Sequence, residues 1–360
     1  MVKAKAIRRA AGIVAFNAVV ASVVVEGTLV LLLAAPRLSG VLPRPARRLV
    51  QQVYRHFKRS LIQFDQACAR YDPELTYTLK PGVCTFENTE FRNVYRVNRL
   101  GLRDGEDQLD APQVIVLGDS HVMGWGVDQD ETLTRVLAQK AERRVLNAGV
   151  SSYGTAREIQ LLERLDVSRL DTLIIQYSDN DWPENRTFHE RGQFLPVMNR
   201  AQYEKAVEHY QAQRGYFPGK YLYRMFAKAL RLEEPEPDQV TMGNFTPTEE
   251  AEAFVNVLAH SRVPLAHVQV IVFEINEQIR PPRPFIAVLD TVRRQAQHPE
   301  FVRRLQTLDV APLLSPGDFY DLDDHLRAHG HQVLGEALSD LVSNLAGLKS
   351  RETAAPGTRP

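Results

Sequence analysis

The sequence predicts an α/β protein: a three-layer α/β/α sandwich built on a doubly wound parallel sheet of about five strands, preceded by an N-terminal transmembrane helix. Three observations predict it. Short apolar runs at 113–117, 144–148, 172–177 and 268–275 alternate with segments of helical pattern, as strands covered on both faces do. The first three runs each end in a loop of small and polar residues, where such sheets carry their functional groups. Residues 11–35 are apolar over a length that can cross a bilayer.

That stretch is broken only by Asn17, Ser22, Glu26, Gly27 and Thr28, and follows Lys3, Lys5, Arg8 and Arg9. A cleaved signal peptide shares these features. The run is longer than a usual signal core, however, and leads into Pro36-Arg37 without a small-x-small site, so 1–36 is expected to be a retained anchor. Arg37, Arg44, Arg47, Arg48 and Arg55 make the far flank as basic as the near one, and charge leaves the orientation open. Glu26 is costly in hydrocarbon unless paired, which points either to a membrane partner or to a place near one leaflet.

Residues 37–110 form the next unit. Leu49, Val53, Phe57 and Leu61 recur at every fourth position within Val41 to Arg70, predicting a basic amphipathic helix between membrane and domain. A turn-rich segment from Tyr71 to Asp104 then reads as an adaptor on the domain edge, with strand-like pieces such as Tyr95-Arg96-Val97. Cys68 and Cys84 lack the spacing of a metal or redox pair and make either one disulfide or two small core residues.

The main body is 111–348. Helical patterns follow at 131–143, 155–165 and 330–345, the last with Val333, Leu334, Ala337, Leu338 and Leu341 at helical spacing. An insertion at 182–247 begins directly after a strand end, where it could cap a site. Its aromatics, among them Tyr203, Tyr210, Tyr216, Tyr221 and Phe226, are more commonly helix core than ligand platform. Residues 233–237 read as a solvated linker and 349–360 as a disordered tail.

Lys plus Arg and Asp plus Glu each total 44, yet the first sixty residues hold eleven basic side chains and one acid. The other 300 carry 33 basic and 43 acidic side chains, a net of −10. A basic head on an acidic body fits a membrane surface, and without a basic cluster in the body no nucleic acid is expected.

The chemistry lies at the ends of the runs. The first ends Leu117-Gly118-Asp119-Ser120-His121, which sets a hydroxyl on a strand-to-helix turn, where helix N–H groups can face an oxyanion. Gly118 and Gly124 let the backbone bend there. The second ends Asn147-Ala148-Gly149 and continues through Ser151-Ser152-Tyr153-Gly154, a loop able to offer a backbone N–H; the third presents the Asn180 amide. Before the last helix stands Asp321-Leu322-Asp323-Asp324-His325. Four strand ends would thus deliver a hydroxyl, a backbone donor, an amide and an imidazole with carboxylates, the parts of acyl transfer.

In content and order these segments resemble blocks I, II, III and V of the SGNH (GDSL-type) hydrolase superfamily, over about Gln113 to Leu345. The anchor with its Glu, the Pro81-Gly82 turn and the Asn98-x-x-Gly101-x-Arg103 element are similar to membrane-anchored bacterial members, a branch like enzymes of polysaccharide O-acetylation and deacetylation. The resemblance implies a flavodoxin-like sheet, Ser120 as nucleophile and His325 as base. It also implies oxyanion donors from Ser120 N–H, the block II loop and Asn180. Two departures follow. Many members have Gly where this chain has Ser152, five after Asn147, so Ser152 is the expected donor with Gly149 in reserve. Leu322 stands where many members place the acid, three before the base; polysaccharide-acetylating branches use Asp-x-His, which selects Asp323, with Asp321 in reserve.

The expected function is a serine esterase or O-acyltransferase on acyl, mainly acetyl, esters of an envelope or extracellular carbohydrate, needing no cofactor. The alternative is a non-catalytic carbohydrate-binding module on the same scaffold. A metal site at Asp321, Asp323, Asp324, His325, His329 and His331 is the rival reading of the cluster; it is not expected, because His331 beside Gly330 is accounted for by a helix start.

Overall fold

The computed structural model describes residues 2–178, 180–230, 245–276 and 285–354, with side chains described between residues 7 and 346. The expected linker at 233–237 lies outside them.

Helix α1 (Val2–Ala34) is one unbroken helix. Residues 7–25 are all exposed, and burial begins at Glu26. Those nineteen residues rise about 28 Å, close to the thickness of a hydrocarbon core. From Ile7 to Ala34 the helix is long and apolar enough to cross a membrane, with mean hydropathy 2.1. Beyond it come the short α2 (Pro36–Gly40) and α3 (Arg44–Phe57). The predicted Val41 to Arg70 helix is therefore shorter than expected, and Leu61 lies outside it. Its buried face is Val50, Val53 and Tyr54, while Leu49 is exposed. A repeat of exactly four drifts around a helix of 3.6 residues per turn, so that spacing did not define the packed face.

Leu29 and Leu33 of α1, Val50, Val53 and Tyr54 of α3, and Leu322 form one apolar cluster with Tyr221. Helix α1 is thus docked on the body. Two hairpins follow, β1 (Ala69–Asp72) with β2 (Thr76–Leu79), and β3 (Gly82–Glu87) with β4 (Arg92–Val97). A Cys68–Cys84 disulfide joins them, which decides between the two cysteine readings.

The central sheet comprises β5 (Val114–Gly118), β6 (Val145–Gly149), β7 (Thr172–Tyr177), β8 (Gln269–Glu274) and β9 (Gln306–Leu308), all parallel, in the order β6-β5-β7-β8-β9. Alternation decides the layers: Val114 and Val116 face one core with Leu334 and Leu338, Ile115 and Leu117 the other with Ile159 and Phe254. Each such side chain, fully buried, stabilises by roughly 1.5–3 kcal/mol. The helices are α4 (Ser120–Met123), α5 (Leu133–Ala141), α6 (Thr155–Leu162), α7 (Asp181–Glu190), α8 (Arg200–Gln213), α9 (Lys220–Ala229), α10 (Pro247–Ala259), α11 (Phe285–Val292), α12 (Glu300–Arg303) and α13 (Ala328–Ala354). The last turns of α13 run into the expected tail. From β5 the chain moves to β6 on one side and then crosses to β7 on the other, opening a crevice at the carboxyl end of β5.

Candidate active site

Ser120 stands at that crevice, two residues past β5. Asp119 caps the turn: its Oδ1 accepts the His121 N–H at 2.8 Å and its Oδ2 the Ser178 hydroxyl at 2.9 Å. The predicted helix after Ser120 is a single turn, because Gly124 takes a left-handed φ of 84° and ends it. A one-turn helix has little dipole to offer, so the expectation of help from its positive end is corrected; single N–H groups remain. Gly118 serves internal packing, since a Cβ there would meet Val122 at 2.4 Å.

His325 Nε2 lies 2.7 Å from Ser120 Oγ, and its Nδ1 lies 2.5 Å from Asp323 Oδ1 and 3.2 Å from Asp324 Oδ1. All four residues are buried, and Trp125 stacks on the imidazole with centroids 4.7 Å apart. The imidazole does not come from a strand end, as expected, but from the loop between β9 and α13. That loop is held by an antiparallel bridge between Phe319 and Leu326 and by Glu90, whose carboxylate accepts the N–H groups of Asp321, Leu322 and Asp323 at 2.7 to 2.9 Å. Asp321, the reserve acid, pairs instead with Arg327 at 3.0 Å and Arg47 at 3.7 Å.

Burial pulls the His325 imidazole down, but Asp323 and Asp324 outweigh it and push it up to about 9. Burial also opposes ionisation of Asp324, yet Arg59 and Arg55 hold its carboxyl well below the usual range. Burial pushes His121 down to about 4, so it stays neutral beside His325 at ordinary pH.

A cleft of about 470 Å³ brings together Ser120, His325, Ser152 and Asn180. Ser152 has φ 59°, the left-handed conformation that glycine takes most easily, which is the physical reason a glycine suits this place. Its Oγ accepts from Gln63 Nε2 at 3.0 Å. Asn180 holds the N-cap position of α7 without a side-chain cap and is exposed at the cleft, its Oδ1 beside the Ser178 hydroxyl. Gly149 is not brought in. Its N–H already donates to Asn147 Oδ1 at 3.0 Å, and a Cβ there would meet the Met123 nitrogen at 2.3 Å, so it packs under the turn as close neighbour rather than donor.

Asp323, Asp324 and His325 place ligand-type atoms within 4.8 Å of one another. The cations Arg59 and Arg55 already balance Asp324, and the other histidines are engaged elsewhere: His329 with Asp318 at 2.5 Å, and His331 Nδ1 accepting the Leu133 N–H at 3.3 Å. Of the six residues of the rival metal reading, only Asp323, Asp324 and His325 come together, and the charge there is already balanced by arginines.

Four contributors were missed. Tyr54 and Arg59 reach Asp323 and Asp324 from α3 and its end, and Trp125 Nε1 donates to Asp323 Oδ2 at 3.3 Å. Arg103, buried, donates to the Met123 carbonyl at 3.3 Å and the Val127 carbonyl at 2.7 Å, bracing the segment behind Ser120. Arg103 and Trp125 lay inside segments already singled out; Tyr54 and Arg59 had no signal beyond their basic helix. The insertion does wall the cleft, through Leu195, Met198 and Tyr203.

No family model matches the sequence, and a comparison with curated protein sequences finds no match. Among solved structures, the chain is similar to a protein assigned to the lipolytic G-D-S-L family from Desulfitobacterium hafniense DCB-2, with 14% identity and TM-score 0.34 over 63% of this chain and 98% of that one. It is also similar to a carbohydrate esterase family 2 enzyme with a carbohydrate-binding domain from Corynascus thermopiles, at 13% and 0.41 over 66% and 67%. A salicylyl-acyltransferase from a tetracycline biosynthetic pathway matches at 11% and 0.36 over 66% and 56%.

Proposed function

We propose that the protein is a serine esterase or O-acyltransferase of the SGNH superfamily, acting on acyl, mainly acetyl, esters of a cell-envelope or extracellular carbohydrate. The observation that carries this reading is the buried line Ser120 Oγ, His325, Asp323, with contacts of 2.7 and 2.5 Å. His325 takes the Ser120 proton as Oγ attacks the ester carbonyl, and Asp323 steadies the imidazolium. The oxyanion is received by the Ser120 and Ser152 N–H groups and the Asn180 amide. His325 then protonates the departing alcohol, leaving an acyl group on Ser120. Water or a sugar hydroxyl, deprotonated by the same imidazole, takes that group and frees the serine.

The substrate assignment rests on placement. Glu26, Leu29 and Leu33 belong to the packed body, which supports a retained single-pass anchor over a cleaved leader. The Cys68–Cys84 bridge suits an oxidising compartment, which supports a domain outside the bacterial inner membrane. The test is release of p-nitrophenol from p-nitrophenyl acetate by the full chain in detergent, beside Ser120→Ala. Turnover lost in the variant supports the mechanism. A wild-type chain that binds acetylated polysaccharide yet neither turns over esters nor reacts with a fluorophosphonate favours the binding module.

A further inference from the structure

The loop bearing the acid is held from outside the sheet domain. Asp323 offers Oδ1 to His325, and its Oδ2 receives the Tyr54 hydroxyl at 3.2 Å and Trp125 Nε1 at 3.3 Å. Arg59 Nη1 lies 2.7 Å from Asp324 Oδ1 and 3.7 Å from Asp323 Oδ1. Two carboxylates beside one imidazole repel each other, and a guanidinium placed between them offsets that repulsion. The segment carrying Arg59 is itself fixed: the Tyr54 carbonyl accepts the Lys58 and Arg59 N–H groups at 2.9 and 2.8 Å, and the Arg59 carbonyl accepts the Tyr210 hydroxyl at 3.1 Å.

Further links run from this segment to α1 and to the acid loop. Lys58 Nζ donates to the Leu33 carbonyl at 3.1 Å, Gln51 Nε2 donates to the Asp321 carbonyl at 2.9 Å, and Leu322 packs in the cluster of Leu29 and Leu33. An apolar residue of the acid loop therefore shares its core with the helix that reads as the membrane span.

Resting on the serine reading above, we propose that Tyr54 and Arg59 are positioning residues: they hold Asp323 and Asp324 behind His325, so that the juxtamembrane helix completes the reacting line. The base is fully assembled only when α3 is docked. Arg59 also lines the cleft and Tyr54 does not; the role proposed for both runs through the carboxylates.

The experiment uses the full chain in detergent micelles and follows the rate of fluorophosphonate labelling of Ser120 against pH, for wild type, Tyr54→Phe, Arg59→Gln and Arg59→Lys. Facing His325 are Asp323, Asp324 and His121, with Arg59, Arg55, Tyr54, Glu90, Tyr320 and His331 behind them. Removing the Arg59 cation leaves the imidazolium before two less balanced carboxylates, so the acid limb of Arg59→Gln moves up by about one pH unit. Its plateau rate and that of Tyr54→Phe fall about tenfold, the loss of one hydrogen bond to a charged group. Arg59→Lys restores the limb. A variant that merely loosened the fold would lower the labelled fraction without moving the limb, and should Arg59→Gln not fold, Tyr54→Phe and Arg59→Lys decide. Wild-type rates and limbs in Tyr54→Phe and Arg59→Gln overturn the proposal. A wild-type chain with no Ser120-dependent labelling overturns the serine reading, and the positioning roles with it.

Discussion

The Glu26 carboxylate, on α1, accepts the backbone N–H of Leu222 at 3.0 Å. Its other oxygen accepts the Tyr221 N–H at 3.2 Å. The acid thus meets the first turn of α9, where helix N–H groups lack partners and the dipole favours negative charge. An acid in an apolar stretch suggested either a membrane partner or a place near one leaflet; its contacts are with the chain's own insertion, and Glu26 sits where the exposed run of α1 ends.

Replacing Glu26 by Leu strands those N–H groups in a buried contact. Glu26→Leu should lower the stability of the full chain by about 1–3 kcal/mol, and Glu26→Gln by less, since an amide oxygen still accepts. Thermal unfolding in detergent reads both. An unchanged midpoint in Glu26→Leu would remove the carboxylate from the docking.

Asn180→Ala should cost about 10²–10³ in turnover with little effect on stability, because the side chain is exposed at the cleft and its loss opens no core cavity. Steady-state rates on p-nitrophenyl acetate, set beside a melting curve, separate the two. Full retained activity would dismiss Asn180 as an oxyanion donor.

A base must be neutral to take a proton. With His325 pushed up to about 9, kcat/KM should climb with pH from neutrality toward that value. The same shift stabilises the fold fully below the imidazole's ordinary 6.5, and that contribution is lost as pH rises through about 9. A rate plateau already reached below neutrality would contradict the carboxylates' hold on the ring.

The Cys68–Cys84 bridge closes a loop of sequence separation 16. Its reduction should cost about 3 kcal/mol by the loop-entropy estimate. Denaturant unfolding with and without reductant measures this. A midpoint indifferent to reductant would show the hairpins held by packing alone.

What could be read in advance follows from locality. Val114 to Leu117 are apolar without a break because the strand is buried on both faces, and Ser120, adjoining that strand, inherits its place from it. His325 and Asp323 were legible because they are two residues apart in one turn. β9 was not located, being three half-buried residues with no run to mark it. The choice between Ser152 and Gly149 depends on which N–H the folded loop leaves unused, a matter of φ and partners rather than residue type. Tyr54 and Arg59 meet residues more than 260 positions away, and such a pairing leaves no periodic trace.

The most direct test of the central claim is the mass of the covalent adduct formed by the full chain with an ester or a fluorophosphonate, mapped to its peptide. The account predicts a single adduct on Ser120, formed by wild type and nearly lost in His325→Gln. An adduct on another residue, or equal Ser120 labelling without the His325 imidazole, would contradict it.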